Sequence, residues 1–189
     1  MKNLAKSIKI TLVLAVFFAI SYVAVLFVFS LAFGRGEQGS AEWVTTSDGR
    51  VVGAANVGQR FTKDIYFWGR PGGYAADASG GSNKGPTNPE YLAEVEVRID
   101  TFLAAHPYLE RSEVPAEMVT ASGSGLDPDI TPQCAYVQVK RVAQARGIPE
   151  ERVLDIVREN TTAPLLGLIG TPRVNVLKLN VALDEATKG

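Results

Sequence analysis

Two of the most versatile side chains in protein chemistry are almost missing, because one cysteine and one histidine occur in 189 residues. A lone Cys134 excludes an intramolecular disulfide, so stability must come from packing. Its neighbour Ala135 and the apolar spacing around it mark it as a small core residue rather than a reactive thiol. The single histidine, His106, precedes Pro107 at a predicted helix end, where a histidine serves as partner to the helix dipole more readily than as a general base. No His/Cys/carboxylate set has metal-ligand spacing, so no metal site is expected. The formal net charge is −1, and no basic patch or arginine-rich stretch appears, which excludes nucleic acid as a partner. Internal repeats and long disordered tracts are also lacking.

The short motifs that resemble active sites fall short of them. Ser122-Gly123-Ser124-Gly125 is not a nucleophile elbow, since neither serine has glycine two residues away on both sides. Gly80 to Thr87 resembles a phosphate loop but lacks the Gly-Lys-Ser/Thr ending and follows no strand. Asp127 and Asp129 flank Pro128 and read as a turn leading into a helix rather than a cation site. Asn160-Thr161-Thr162 matches a glycosylation sequon, a three-residue signal of low specificity. No catalytic residue is therefore assigned.

What the chain has in abundance is one apolar run near its start. Ile10 to Phe33 is 24 residues without a charge, interrupted only by Thr11, Ser21, Tyr22 and Ser30. As a helix it spans roughly 36 Å, enough to cross a hydrocarbon core of about 30 Å. Ser30-Leu31-Ala32 has cleavage-site spacing, but a signal core is normally about 7–15 residues, so the run reads as a permanent anchor. Lys2, Lys6 and Lys9 precede it, whereas only Arg35, with Glu37 beyond, follows closely. That asymmetry predicts a cytoplasmic N-terminus, a single pass through the cell membrane and an extracytoplasmic remainder. From Gly36 onward the chain has 20 acidic and 15 basic residues, a mildly negative domain of ordinary size. Ala15, Ala19 and Ala24 offer small surfaces for helix approach in the bilayer.

The expected organisation is a cytoplasmic N-terminus at 1–9, the span at 10–33, a neck at 34–47 and an α+β domain at 48–189. Val51, Val52 and Ala54 read as a strand, as do Ile65 to Trp68 and Met118 to Ala121. Pro71 to Pro89 is rich in Gly, Ser, Asn and Pro and reads as a long loop. Asn88-Pro89-Glu90 starts a helix carrying Leu92, Val95, Ile99, Phe102 and Leu103. Thr131-Pro132 starts a second, ending at Gly147, and Pro149 to Glu159 forms a third. Arg173 to Leu183 fits a strand by Val174 and Val176 and a helix from Leu177.

Several dense strings follow one another in order. They are Tyr66-Phe67-Trp68-Gly69-Arg70-Pro71, Ser79-Gly80-Gly81-Ser82-Asn83, Gly85-Pro86-Thr87-Asn88-Pro89 and Val119 to Pro128. Ile130-Thr131-Pro132, Arg141-Val142-Ala143, Pro172 to Leu177 and Leu179-Asn180 complete the series. Over nearly the whole chain this resembles the C subunit of the Kdp potassium-transporting ATPase. Asp129 stands where many relatives carry His, and Thr171 where many carry Glu.

The resemblance implies a non-catalytic accessory subunit of an ATP-driven, high-affinity potassium import complex. Its partners would be a channel-like A subunit, a P-type B subunit, a small F peptide and the lipid bilayer. It would have no cofactor of its own, ATP and potassium being handled by the complex. One role suggested for the family is a catalytic chaperone, in which a glutamine at the position of Gln138 touches the nucleotide. The predicted topology argues against that contact, because ATP is cytoplasmic; the plainer expectation is that Gln138 caps or solvates a helix face. The other suggested role, preferred here, is assembly over the extracytoplasmic mouth of the A subunit. Tyr66, Trp68, Arg70, Asn83, Ser122, Ser124 and Asp127 are candidates for partner contact. The alternative class is a stand-alone, membrane-anchored extracytoplasmic enzyme or binding protein.

Overall fold

The computed structural model describes residues 2–33, 41–75 and 77–187. The neck residues at 34–40, including Arg35, Glu37 and Gly39-Ser40, lie outside the described residues. The chain divides into two units, 1–42 and 43–189.

The first unit is the helix α1, Lys2–Phe33. It begins eight residues before the charge-free run, and its large apolar side chains are exposed on every face. Such a helix satisfies its own backbone and presents hydrocarbon all round, as a lipid environment requires. Among the described residues it is the one helix long and apolar enough to cross a membrane.

The second unit is α+β. Strands β1 (Trp43–Thr45) and β2 (Val51–Ala54) form an antiparallel hairpin, with β1 inside the stretch expected to be neck. Helix α2, Pro89–Ala105, starts as its cap predicts: the Asn88 side chain accepts a hydrogen bond from Tyr91 N at 3.1 Å. Strand β3 (Asp129–Ile130) leads into helices α3 (Pro132–Tyr136), α4 (Val139–Arg146) and α5 (Glu150–Glu159). Strands β4 (Thr161–Thr162) and β5 (Arg173–Asn175) precede α6 (Val176–Ala186). β5 is the middle of a three-stranded antiparallel sheet, pairing Val174 with Ile130 on one side and Thr161 on the other. One core joins Phe67, Phe102, Ile130, Val142, Val153, Val157, Val174, Leu179 and Leu183.

One open reading is resolved and three local expectations are corrected. The ambiguous stretch from Arg173 is both strand and helix, because the Asn175 side chain accepts from Lys178 N at 3.1 Å and starts α6 immediately after β5. Met118 to Ala121 is not a strand; a 3₁₀ turn, Ala116–Met118, occupies its start. The helix expected from Pro132 to Gly147 is broken at Val137-Gln138, where Gln138 N donates to Ala135 O in a tighter turn. Ile65 to Trp68 is not a strand either: Tyr66 N closes a turn on Lys63 O, and distant side chains rather than a neighbouring strand satisfy Phe67 and Trp68.

The long loop Pro71 to Pro89 remains irregular, and its glycines let backbones touch. A Cβ on Gly72 would stand 2.5 Å from Gly125 O, and one on Gly125 would stand 2.5 Å from Gly80 O. Gly125 also has φ of +70°, in the left-handed region. The Ser/Gly strings therefore stack three loop segments against one another.

Candidate functional site

The aromatic segment is gripped from two helices, α4 with its N-cap and α6. Phe67 N donates to Asn180 Oδ1 at 2.8 Å, and Asn180 Nδ2 donates back to Phe67 O at 3.0 Å. Gln138 repeats the arrangement one residue on: Trp68 N donates to Oε1 at 2.8 Å, and Nε2 donates to Trp68 O at 3.2 Å and to Cys134 O at 2.9 Å. Arg141 donates to Asp64 O at 2.6 Å and Tyr66 O at 3.1 Å, and Arg146 donates to Ile65 O at 2.7 Å. Two amides thus imitate a strand edge, and two arginines take up the carbonyls between them. The energetic reason is that a buried N–H or C=O must find a partner.

The two cations of this clamp face carboxylates, Arg146 with Asp184 at 2.6 Å and Arg141 with Asp64 at 3.8 Å. Arg141 Nε donates to His106 Nε2 at 2.9 Å, while Nη2 donates to Gln138 Oε1 at 2.9 Å. His106 Nδ1 lies 2.7 Å from Phe102 O, so the proton resides on Nδ1 and Nε2 is the acceptor. The ring is fully buried and stacks on Phe102 with centroids 4.0 Å apart. Burial pushes its pKa down to about 4, with the Arg141 charge adding to the effect. His106 does meet the end of α2, but as a neutral donor to a last-turn carbonyl rather than as a cation on the dipole. Arg141 is held down to about 10 by burial and stays charged at neutral pH, with its guanidinium 4.2 Å from the Trp68 ring centre.

The sequence-based candidates separate into three places. Tyr66, Trp68 and Gln138 meet in the clamp; Tyr66 donates to Asp184 Oδ2 at 3.0 Å, and burial together with Asp184 raises its pKa. Gln138 is fully buried, and its side chain makes no cap bond although its backbone begins α4. The expectation of a capping or solvated glutamine is thereby corrected: its amide grips the aromatic segment. Arg70 and Asp127 form an ion pair at 3.0 Å beside the stacked loops. Ser122 is buried there, with Oγ accepting from Gly125 N at 2.9 Å, whereas the exposed Ser124 accepts from Leu126 N at 3.1 Å. Asn83 stands apart on the exposed loop with φ of +52°.

Asp129 bonds Arg173 at 3.2 Å rather than joining Asp127 around a cation. Cys134 donates to Glu117 Oε2 at 3.1 Å, and burial pushes its thiol up to about 12, which leaves almost no thiolate at neutral pH. Among the described residues no three His, Cys, Asp or Glu side chains cluster to hold a metal. Sequence reasoning missed Arg141, Arg146 and Asn180 as functional positions. A signal existed, because Arg141 and Asn180 fall on core-facing helical positions among Val139, Val142, Leu179 and Leu183.

Comparison with known proteins reveals close similarity. The family described as K+-transporting ATPase, c chain (KdpC), matches residues 4–185. A protein of Bacteroides thetaiotaomicron named potassium-transporting ATPase KdpC subunit is 67% identical over 189 residues, covering 98% of this chain and 99% of its own. Proteins with the same name from Flavobacterium psychrophilum and Caldanaerobacter subterraneus are 50% and 45% identical. The alignments cover 98% and 99% of this chain, and 99% and 97% of those proteins.

Proposed function

The chain belongs to the KdpC family of K+-transporting ATPase c chains, and from that premise we propose that it is a non-catalytic subunit that docks the other subunits of a potassium-importing ATPase through its α+β domain. Helix α1 anchors it, with the lysine-flanked N-terminus in the cytoplasm and the domain outside. In this reading a channel-like A subunit carries potassium, a P-type B subunit hydrolyses ATP, and a small F peptide completes the assembly. The c chain supports potassium affinity by holding the complex together.

The observation that carries this reading is a hairpin tip between β4 and β5. Leu165, Leu166, Leu168 and Ile169 are 64–88% exposed, and Leu165 pairs with Ile169 around Gly167. Four adjacent aliphatic side chains in water form an unusual patch, of the kind that marks a protein contact. The clamp, by contrast, keeps Gln138, Arg141 and His106 turned inward, which supports a role in shaping the domain rather than in touching nucleotide.

The test is replacement of Leu166 and Leu168 by Asp, followed by co-purification of partner subunits with the tagged chain from native membranes in mild detergent. Neither side chain is in the core, so the domain should fold. Loss of the partners is expected. Full recovery of the A and B subunits, with unchanged potassium affinity, would refute the docking role of the hairpin.

A further inference from the structure

A cavity of about 500 Å³ opens beside the Arg70–Asp127 pair, with Arg60, Arg70 and Arg98 on its walls and Phe61, Trp68 and Tyr74 between them. Its size lies within the range of small-molecule sites, and its lining combines aromatic surface with a few convergent polar groups. The three guanidiniums are unequally compensated. Arg70 has Asp127 at 3.0 Å. Arg98 has Glu94 at 3.2 Å, but that carboxylate also holds Lys84 at 2.5 Å. Arg60 has no carboxylate partner among the described residues; its Nη2 donates to Gly72 O at 3.2 Å and its guanidinium lies 5.7 Å from the Tyr74 ring centre. Arg70 Nε, moreover, is buried without a hydrogen-bond partner.

One uncompensated guanidinium, one guanidinium sharing its counter-charge and an unsatisfied N–H therefore converge on one aromatic-walled space. Arg60 is exposed and free to swing toward an incoming anion, whereas the buried Arg70 Nε carries an unmatched donor, which costs free energy. With Glu94 shared by Lys84 from outside the cleft, the surplus lies between one and two charges, and the three aromatic side chains on the walls match an anion carried on an apolar body. Arginine also binds a planar carboxylate through two parallel N–H groups. We propose that this cleft binds a monoanionic carboxylate carried on a small apolar or aromatic body, with Arg60 and Arg98 holding the carboxylate and Phe61, Trp68 and Tyr74 packing the body. Nothing in this depends on which subunits surround the domain.

Trp68 is the reporter. In full-length protein in a neutral detergent, with Trp43→Phe removing the second tryptophan, fluorescence is titrated with benzoate, benzamide and phenyl phosphate. Benzoate is expected to quench saturably, with benzamide and phenyl phosphate weaker. Arg60→Gln should weaken benzoate about tenfold or more, the usual loss for a charge-assisted hydrogen bond. Thr101→Glu, which adds a negative charge at the exposed rim on α2 without touching the core, should weaken it as well. Equal binding of benzamide and benzoate would overturn the proposal, because the arginines would then contribute nothing. Tighter binding of phenyl phosphate would overturn the carboxylate assignment, and unchanged affinity in both variants would place the ligand elsewhere.

Discussion

Removing the Gln138 side chain tests whether the clamp holds the domain together. In Gln138→Ala, Trp68 N loses its acceptor, and Trp68 O and Cys134 O lose their donor. Arg141 also loses one acceptor but keeps Asp64 O, Tyr66 O and His106 Nε2. Each buried group left unsatisfied costs about 1–3 kcal/mol, and a water admitted to the vacated space offsets part of that. The expected loss is about 3–5 kcal/mol, or roughly 6–20 °C in Tm for a domain of this size. Gln138→Glu separates the two halves of the amide. It keeps the acceptors for Trp68 N and Arg141 but turns an oxygen toward the Trp68 and Cys134 carbonyls, so it should also be destabilised.

The assay is thermal unfolding of the full chain in neutral detergent, followed by near-UV circular dichroism, which reports the aromatic segment directly. A Tm within about 2 °C of the parent in Gln138→Ala would refute the reasoning. If that variant also lowered the apparent ATP affinity of the assembled complex, Gln138 would act by contact rather than by architecture. A fall in Tm together with reduced subunit recovery is the outcome that the geometry requires.

His106 predicts an acid sensitivity. Its pKa is about 4 when folded against about 6.5 when unfolded, so between those values the unfolded chain binds a proton that the folded chain does not. Stability is then complete above about pH 6.5 and falls as pH drops toward 4, by up to about 3 kcal/mol. His106→Phe should be less stable at neutral pH yet lose less between pH 7 and 4.5 in urea titrations; an unchanged slope would show that His106 is not the group responsible. The stacked loops predict a contrast between neighbours. Gly72→Ala should be destabilised by about 1–3 kcal/mol, because its Cβ would meet Gly125 O at 2.5 Å, whereas Gly73→Ala, with nothing within 4 Å, should melt close to the parent. Equal melting of the two would mean that the loops do not pack as described.

The sequence disclosed those features whose causes are local. The span follows from an uncharged run, the start of α2 from Asn88-Pro89, and the end of α4 from Gly147 in the left-handed region. Arg173 to Leu183 could not be decided by periodicity, because a three-residue strand and a helix share it with Asn175 as the hinge. Ile65 to Trp68 departs from a strand for a different reason. Apolar and aromatic residues report that a segment is buried, but not what satisfies its backbone, and here the partners are 70 to 113 residues away in sequence. An amide on a distant helix leaves no periodic trace.

The residues of the clamp look inward, so their identities are explained by the need to hold an extended aromatic segment without a neighbouring strand. Once Trp68 N and O are fixed by Gln138, the next residues must leave the clamp, and Gly69-Arg70-Pro71 carries the chain to the loops stacked on Gly72, Gly80 and Gly125. The arginine cleft lies along this exit, bordered by Trp68 on the clamp side and Gly72 on the loop side. A change that loosens Gln138 should therefore disturb the cleft as well as the core, whereas Arg60→Gln should disturb the cleft alone. Benzoate affinity measured in Gln138→Ala below its melting temperature decides the matter: a loss comparable to that of Arg60→Gln ties the cleft to the clamp, and undiminished affinity shows that the loops hold the cleft by themselves.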